Sequence, residues 1–414
     1  MSEFLKTSLE YILHKPISGS RPKGGVSIVG EIPSLGGENI TMEGGLKLEV
    51  VKKISSEFFK SMPRGQLRNL DVLINKDGAN TGKSSIYRKS PFLNAAVNEH
   101  LFILRGKEGE LDQEYLHHLL QFSLIRAILE IKITGSAQPG INSTFVKNFP
   151  VDLAPFTEQK KIASILNSVD EVIDNTQKQI DKLQDLKKAT MNELLTKGIG
   201  HKEFKDSELG QIPRSWEVVE LSSLVNSTRP ITYGIVQTGE HIPYGIPCVR
   251  VVDIVKGKPI LERMIRTTQQ INDSYSRTVL QENDIMFALR GNIGFVRKVE
   301  SFLRGANLTR GIALISNSEE ITSDYLLYAL QSQVVRRQIA DGVNGSALQE
   351  IPLGNLRTVK VPVPCKTEQT GISEVIASLE KLIETSLLKL HQTQSLKKSL
   401  MQDLLTGKVR VTVN

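Results

Sequence analysis

The sequence predicts an α+β architecture: two mixed α/β domains in a pseudo-two-fold arrangement, joined by two long helices that form an antiparallel coiled coil. Three observations carry this. The chain repeats itself at an offset of 210 residues. Each copy begins with short apolar runs punctuated by turn residues. Each copy ends in a helix with a seven-residue apolar period.

Residues 115–199 fall onto 325–409 without a gap. Tyr115, Leu116, Leu120, Gln121 and Arg126 meet Tyr325, Leu326, Leu330, Gln331 and Arg336. Gly135-Ser136-Ala137 meets Gly345-Ser346-Ala347, Thr157-Glu158-Gln159 meets Thr367-Glu368-Gln369, and Leu194-Leu195-Thr196 meets Leu404-Leu405-Thr406. Solenoid repeats have periods of about 20–50 residues, so a period this long means two copies of a whole module. A protein with internal two-fold symmetry suits a two-fold target, of which duplex DNA is the commonest.

In order along the chain, the runs Ala96-Val97, Leu101 to Leu104, Cys248 to Val252 and Ile285 to Ala288 read as strands. A helix is expected from about Asp112 to Ile131 and again from about Ser323 to Ala340. The long helices follow. Thr157 and Thr367 are candidate N-caps, Glu158 and Glu368 suit the first turn, and Gly198 and Gly407 suit the stops. In the first helix Leu166, Ile173, Ile180 and Leu194 form one seam line and Ile162, Val169 and Leu183 the other. In the second, Ile376, Ile383, Leu390 and Leu404 run beside Ile372, Leu379 and Leu400. Thr176 and Ser386, and Lys187 and Lys397, interrupt the seams at equivalent positions; polar seam residues cost stability but specify register and partner. Domain limits of 1–155 and 201–364, with helices over 156–200 and 365–414, follow.

Composition bounds the function. At 414 residues the chain suits two domains, and 39% hydrophobic with 23% charged residues is ordinary for a soluble protein. The net charge of +7 favours an anionic partner. Cys248 and Cys365 show neither metal nor disulfide spacing. Met1 to Gly25 has no apolar run of the signal-peptide kind, and no stretch is long and apolar enough to span a bilayer, so no membrane association and a cytoplasmic location are expected.

No catalytic constellation emerges. Gly78-Ala79-Asn80-Thr81-Gly82-Lys83-Ser84 looks like a phosphate-binding loop, but three residues separate its glycines where four are needed. Aligning Asp71-Val72-Leu73 with Asp284-Ile285-Met286 places Asn80-Thr81-Gly82 near Asn292-Ile293-Gly294, with Phe295 where copy one has Lys83. The shared element reads as a turn between strands. His117-His118 has no ligand set nearby and reads as surface. What remains is a set of basic and amide residues at turns, which suit phosphates and base edges. They are Arg21, Lys23, Lys76, Asn80, Lys83 and Arg88 in copy one, and Arg229, Arg250, Arg290, Asn292, Asn307 and Arg310 in copy two.

Phe156 to Leu166, with its Thr-Glu-Gln, resembles the spacer of type I restriction-modification specificity subunits. Leu209-Gly210-Gln211-Ile212-Pro213-Arg214-Ser215-Trp216-Glu217 is similar to the opening of one of their target-recognition domains. Copy one lacks that opening and begins directly at Ser8-Leu9-Glu10-Tyr11-Ile12. The resemblance covers nearly the whole chain. It implies a non-catalytic subunit whose two target-recognition domains each read half of a bipartite double-stranded DNA site, with the helices as a ruler between them. It further implies two methyltransferase subunits and restriction/translocase subunits as partners. S-adenosylmethionine, ATP and Mg²⁺ belong to those partners, and no cofactor or metal to this chain. The alternatives are the specificity partner of another restriction system and a coiled-coil scaffold that does not touch DNA; a nucleotide hydrolase would rest on the defective loop alone.

Overall fold

A computed structural model describes residues 4–23, 25, 29–41, 44–88, 92–135, 137–345 and 349–412. Part of the Gly-Ser-Ala repeat, at Ser136 and Ser346-Ala347, therefore lies outside the described residues. The chain divides into two compact units, one of residues 1–177 with 388–414 and the other of 178–387. Each long helix is thus shared: the domain limits read from sequence cut at the helix ends, whereas the compact units divide the helices near their middles.

Unit one holds a four-stranded sheet in the order Ile17–Ser18, Leu101–Leu104, Val72–Asn75, Ser84–Ile86, with every pair antiparallel. Its central strands are buried on both faces, as their unbroken apolar character requires. Val72, Ile74, Phe102 and Leu104 face one core, and Leu73, Leu101 and Ile103 face another, following the two-residue period of a strand. Beyond lies a three-stranded sheet, Lys53–Ile54, Ile32–Leu35, Ala96–Val97. Leu5–Ser8 pairs with Pro150–Leu153, tying the start of the domain to the strand that feeds the first long helix.

Unit two repeats the plan: a sheet Thr232–Tyr233, Ile312–Ile315, Ile285–Ala288, Val296–Lys298, a three-stranded sheet Ile265–Thr267, Ile246–Val249, Asn307–Leu308, and a closing pair Glu217–Glu220 with Lys360–Val363. Ile285, Phe287, Ala313 and Ile315 face one core; Met286, Ala288, Ile312 and Leu314 face the other. The hairpin Phe204–Ser207 with Gly210–Pro213 comes before this plan begins in unit two.

Three sequence expectations are corrected here. The strand expected over Cys248 to Val252 ends early: Ile246–Val249 is the strand, and Val251–Val255 turns into a short helix. The helix expected near 112–131 is broken: Gln113–Gln121, capped by the Asp112 carboxylate, gives way to Ser123–Lys132 because Phe122 is extended (ψ 132°). Ser332 makes the same break between Ser323–Gln331 and Gln333–Asp341. The long helices run Phe156–Lys197 and Lys366–Leu405, so Thr157 and Thr367 lie inside the first turn and are not the caps. The glycine stops stand, with Gly198 at φ +67° and Gly407 at φ +70°.

Within unit one the first half of the first helix lies antiparallel to the end of the second. Ile162, Ala163 and Leu166 share a core with Met401, Leu404 and Leu405, and Asp170 pairs with Lys397 at 2.5 Å. Within unit two Leu195 shares a core with Ile372 and Ile376, and Lys187 pairs with Glu380 at 2.6 Å. Of the seam residues, Ile162, Leu166, Ile180, Ile372, Ile376, Leu390 and Leu404 are buried. Val169, Ile173, Leu183, Leu194, Leu379, Ile383 and Leu400 are half-buried. The seam lysines thus cross to an acid on the other helix, which a seven-residue slip would separate: Lys397 would then face Ala163 or Gln177 in place of Asp170.

Candidate nucleic-acid interface

The Thr-Glu-Gln at the head of each long helix is a lock built twice. Gln159 is buried; its Oε1 accepts from Asp112 N at 2.9 Å, and its Nε2 donates to Glu110 O and Ala154 O at 2.9 and 2.8 Å. Gln369 repeats this with Thr322 N, Glu320 O and Pro364 O at 2.8, 3.1 and 3.0 Å. Each amide binds a long helix to the loop that starts its own domain's helix pair. The preceding glutamates hold whatever follows the other long helix. Glu158 takes the Arg410 guanidinium, with Nε at 2.8 Å. Glu368 accepts from Ile199 N, His201 Nε2 and Trp216 Nε1 at 2.9, 2.8 and 2.9 Å. Trp216 is fully buried there, which is what its segment contributes.

A second repeated device lies beneath the turns. Asp71 and Asp284 are buried, and each accepts the backbone N–H three residues earlier. Asp71 is clamped by Arg105 at 2.6 and 2.7 Å, and Asp284 by Arg229 at 2.9 and 2.8 Å. Planar guanidinium and carboxylate match in such forks, and the pairing offsets the cost of burying the charge.

This decides the fate of several sequence candidates. Arg229 also donates to Ser316 Oγ and Val279 O, so it is structural and withdrawn as a base reader. Asn307 is withdrawn as well: it is fully buried and bonded to Thr278, Asn272 and Tyr275. Arg250 is forked onto Asp253 at 2.9 Å through both Nε and an Nη. Arg21 pairs with Glu99 and Arg88 with Glu114, both at 2.8 Å on the exposed surface. Lys23 and Arg310 are exposed.

The structure brings the rest together on one kind of element. Lys76, Asn80 and Lys83 sit on the turn between Val72–Asn75 and Ser84–Ile86, and Arg290 and Asn292 on the turn between Ile285–Ala288 and Val296–Lys298. Lys76 Nζ lies 5.7 Å from the Phe102 ring centre, Asn80 Nδ2 donates to Gly37 O while Asn80 Oδ1 accepts from Lys83 Nζ at 2.5 Å, and Arg290 pairs with Glu350 at 2.6 Å. Asn292 is exposed. The loop that imitates a phosphate cradle is a hairpin turn followed by a strand, with Gly78 and Gly82 at φ +80° and +83° and their counterparts Gly291 and Gly294 at +69° and +80°. Without a helix after it, the loop lacks the row of free amides that a nucleotide phosphate needs.

His117 and His118 overturn their expectation: both are buried, against the helices and not at the surface. His118 Nε2 lies 2.9 Å from Asn167 Oδ1, and Nδ1 lies 3.9 Å from Asp170. Burial pushes the His118 imidazole down to about 4, against the opposing pull of Asn167 and Asp170, with Lys397 and Arg88 adding to the fall. Burial likewise drives His117 well down, helped by His118. At the equivalent place in unit two stands Tyr328, whose hydroxyl donates to Glu380 at 2.9 Å. Each node joins a domain helix, its own long helix and the seam lysine of the other. Equality between the copies was the available signal for the glutamines, the acids and the lysines; the burial of the histidines had none.

A fold of two repeated α/β domains, each locked to a shared helix pair, defines a class of two-domain recognition scaffold. The sequence profile of the type I restriction modification DNA specificity domain matches residues 26–185 and again 213–397, and the chain belongs to this family. It is 30% identical over 374 residues to the type I restriction enzyme MjaVIII specificity subunit of Methanocaldococcus jannaschii, covering 86% of this chain and 84% of that one. It is 25% identical over 361 residues to the EcoBI specificity subunit of Escherichia coli, covering 82% and 74%. The crystal structure of the S subunit from M. genitalium superposes with a TM-score of 0.61 over 99% of this chain and 97% of that one, at 16% identity. No helix among the described residues is long and apolar enough to cross a membrane.

Proposed function

We propose that this chain is the non-catalytic DNA-specificity subunit of a type I restriction-modification complex. In this reading each unit recognises one half of an asymmetric, bipartite duplex site. The carrying observation is the contrast between what repeats and what does not. The locks at Gln159 and Gln369, the buried acids and the seam lysines are the same in both units, while the equivalent hairpin turns share Asn80 and Asn292 but differ in their charged residues, Lys76 and Lys83 in one unit and Arg290 in the other. One scaffold presenting two different surfaces suits two different half-sites.

The partners are two methyltransferase copies and the restriction/translocase subunits. They act in the cytoplasm, and S-adenosylmethionine, ATP and Mg²⁺ are theirs. A repeated apolar stripe supports docking of one partner twice. Val172 and Leu186 on the first long helix are exposed, and so are Val375, Leu382 and Leu396 on the second, at the same heptad position. Exposed apolar rows of this kind mark protein contacts.

The test is a paired deletion of residues 173–179 and 383–389, one heptad from each helix, which preserves the seam. Seven residues span about 10.5 Å at 1.5 Å each, or about three base pairs at 3.4 Å. The mapped methylation motif is expected to keep both half-sites and lose about three base pairs of spacer. Altered half-sites with an unchanged spacer would refute the ruler.

A further inference from the structure

We infer that Arg126 and Arg336 are a matched pair of DNA-backbone sites, one in each recognition domain, each taking a phosphate; the inference rests on the DNA-reading function proposed above.

From Tyr115 to Val151 and Tyr325 to Val361 the two copies share few residues, and six of those have a structural task in both units; Gln121 bonds to Ser84, and Ser136, Ser346 and Ala347 lie outside the described residues. Tyr115, Leu116, Leu120, Ile141 and Val151 are buried, as are their counterparts. Gly135 and Gly345 hold φ of +89° and +94°. The arginine has no such task. Arg126 is half-buried and Arg336 exposed; their backbone amides close the first turn of their helices, onto Phe122 O and Ser332 O, but neither guanidinium makes a hydrogen bond or ion pair among the described residues. A residue kept in both modules for a reason outside the fold meets something common to both half-sites. Base edges differ between the half-sites, and phosphates do not.

The surroundings fit an anion. Arg126 and Arg336 each lie one helical turn before the residue that meets the hairpin turn. A side chain added at Gly82 would stand 3.3 Å from Leu129, and one at Gly294 would stand 3.4 Å from Ile339. Residues three apart share a helix face, so each arginine leaves the helix beside its turn. In unit two Arg336 lines a groove of about 530 Å³ together with Asn292 and Gln349. The amides of Ala79 and Asn80, and of Asn292 and Ile293, donate to no acceptor among the described residues. A guanidinium beside unbonded amides is the usual protein side of a phosphate contact. These turns also carry Lys76, Asn80 and Lys83 in one unit and Arg290 and Asn292 in the other, so the phosphate contact would set the register in which those residues meet the bases.

The experiment uses the full chain assembled with its methyltransferase. Anisotropy titrations over a range of salt follow two duplexes, one carrying the mapped motif and one lacking it. In Arg126→Ala/Arg336→Ala the slope of log K against log salt is expected to shrink by about 0.9 for each arginine. Both duplexes weaken by the same factor, the motif is unchanged, and Arg126→Lys/Arg336→Lys restores most of the slope. An unchanged slope overturns the assignment. So does a changed motif, which would mean base reading, or loss of methyltransferase assembly at constant slope, which would mean a protein contact. If the unaltered complex binds neither duplex, the DNA-reading function itself fails, a result distinct from all of these.

Discussion

Gln369→Ala should be among the most damaging polar-to-alanine changes in the chain. The amide side chain makes three hydrogen bonds, to Thr322 N, Glu320 O and Pro364 O, and the residue is fully buried. Truncation strands one donor and two acceptors where water does not reach. At about 1 kcal/mol for each bond the loss is about 3 kcal/mol, and more if the stranded groups stay dry. For a unit of roughly 200 residues, each kcal/mol moves the melting midpoint by about 2–4 °C, so a fall of about 6–12 °C is expected. The assay is built in: Trp216 is the one tryptophan of the chain and lies in the same unit, bonded to Glu368 beside the altered residue. Its fluorescence during thermal unfolding reads the unit directly. Gln369→Glu keeps the size and the acceptor but turns an anionic oxygen toward two carbonyls, and should do no better than alanine. A midpoint within about 2 °C of the unaltered chain would refute the lock, because even one net hydrogen bond predicts that much.

Acid should weaken unit one through His118. Unfolded, the imidazole takes its proton near 6.5; folded, burial holds it near 4, so the contribution is full above about 6.5 and is lost as the pH falls from there toward 4. His118→Tyr, which installs the side chain found at the equivalent position 328, is expected to reduce the drop in calorimetric midpoint between pH 7 and pH 5; an equal drop in both proteins would contradict it. The paired heptad deletion extends to a second length: removing four residues from each helix rotates the seam lines out of alignment, so loss of stable protein is expected there but not with seven. Stable chains from both deletions would mean that the seam does not hold the helices together.

Much of this was legible in the sequence because it was written twice. The repeat gave the two-part plan, and the seven-residue period located both seams from Ile162 to Leu194 and from Ile372 to Leu404. The alignment of Asp71 with Asp284 exposed the apparent phosphate loop as a hairpin turn. Residue type was a poorer guide to the interface. Arg229 and Asn307 have the chemistry of base readers, yet one neutralises Asp284 and the other fills a buried network. Nothing local distinguishes such an arginine from an exposed one; the buried acid that claims it lies 55 residues away. His117 and His118 misled for the same reason, since the groups that bury them come from helices remote in sequence. The helix breaks at Phe122 and Ser332 escaped because neither proline nor glycine marks them.

The central claim is that this chain selects a bipartite, asymmetric DNA site for a methyltransferase. Its most direct test is to co-express the chain with a methyltransferase subunit of a type I system that assembles with it and to map modified bases across the host DNA by single-molecule sequencing, with and without the chain. One motif with two unlike halves and a fixed spacer is expected, absent when the chain is absent. A palindromic or contiguous motif, or modification that persists without the chain, would contradict it.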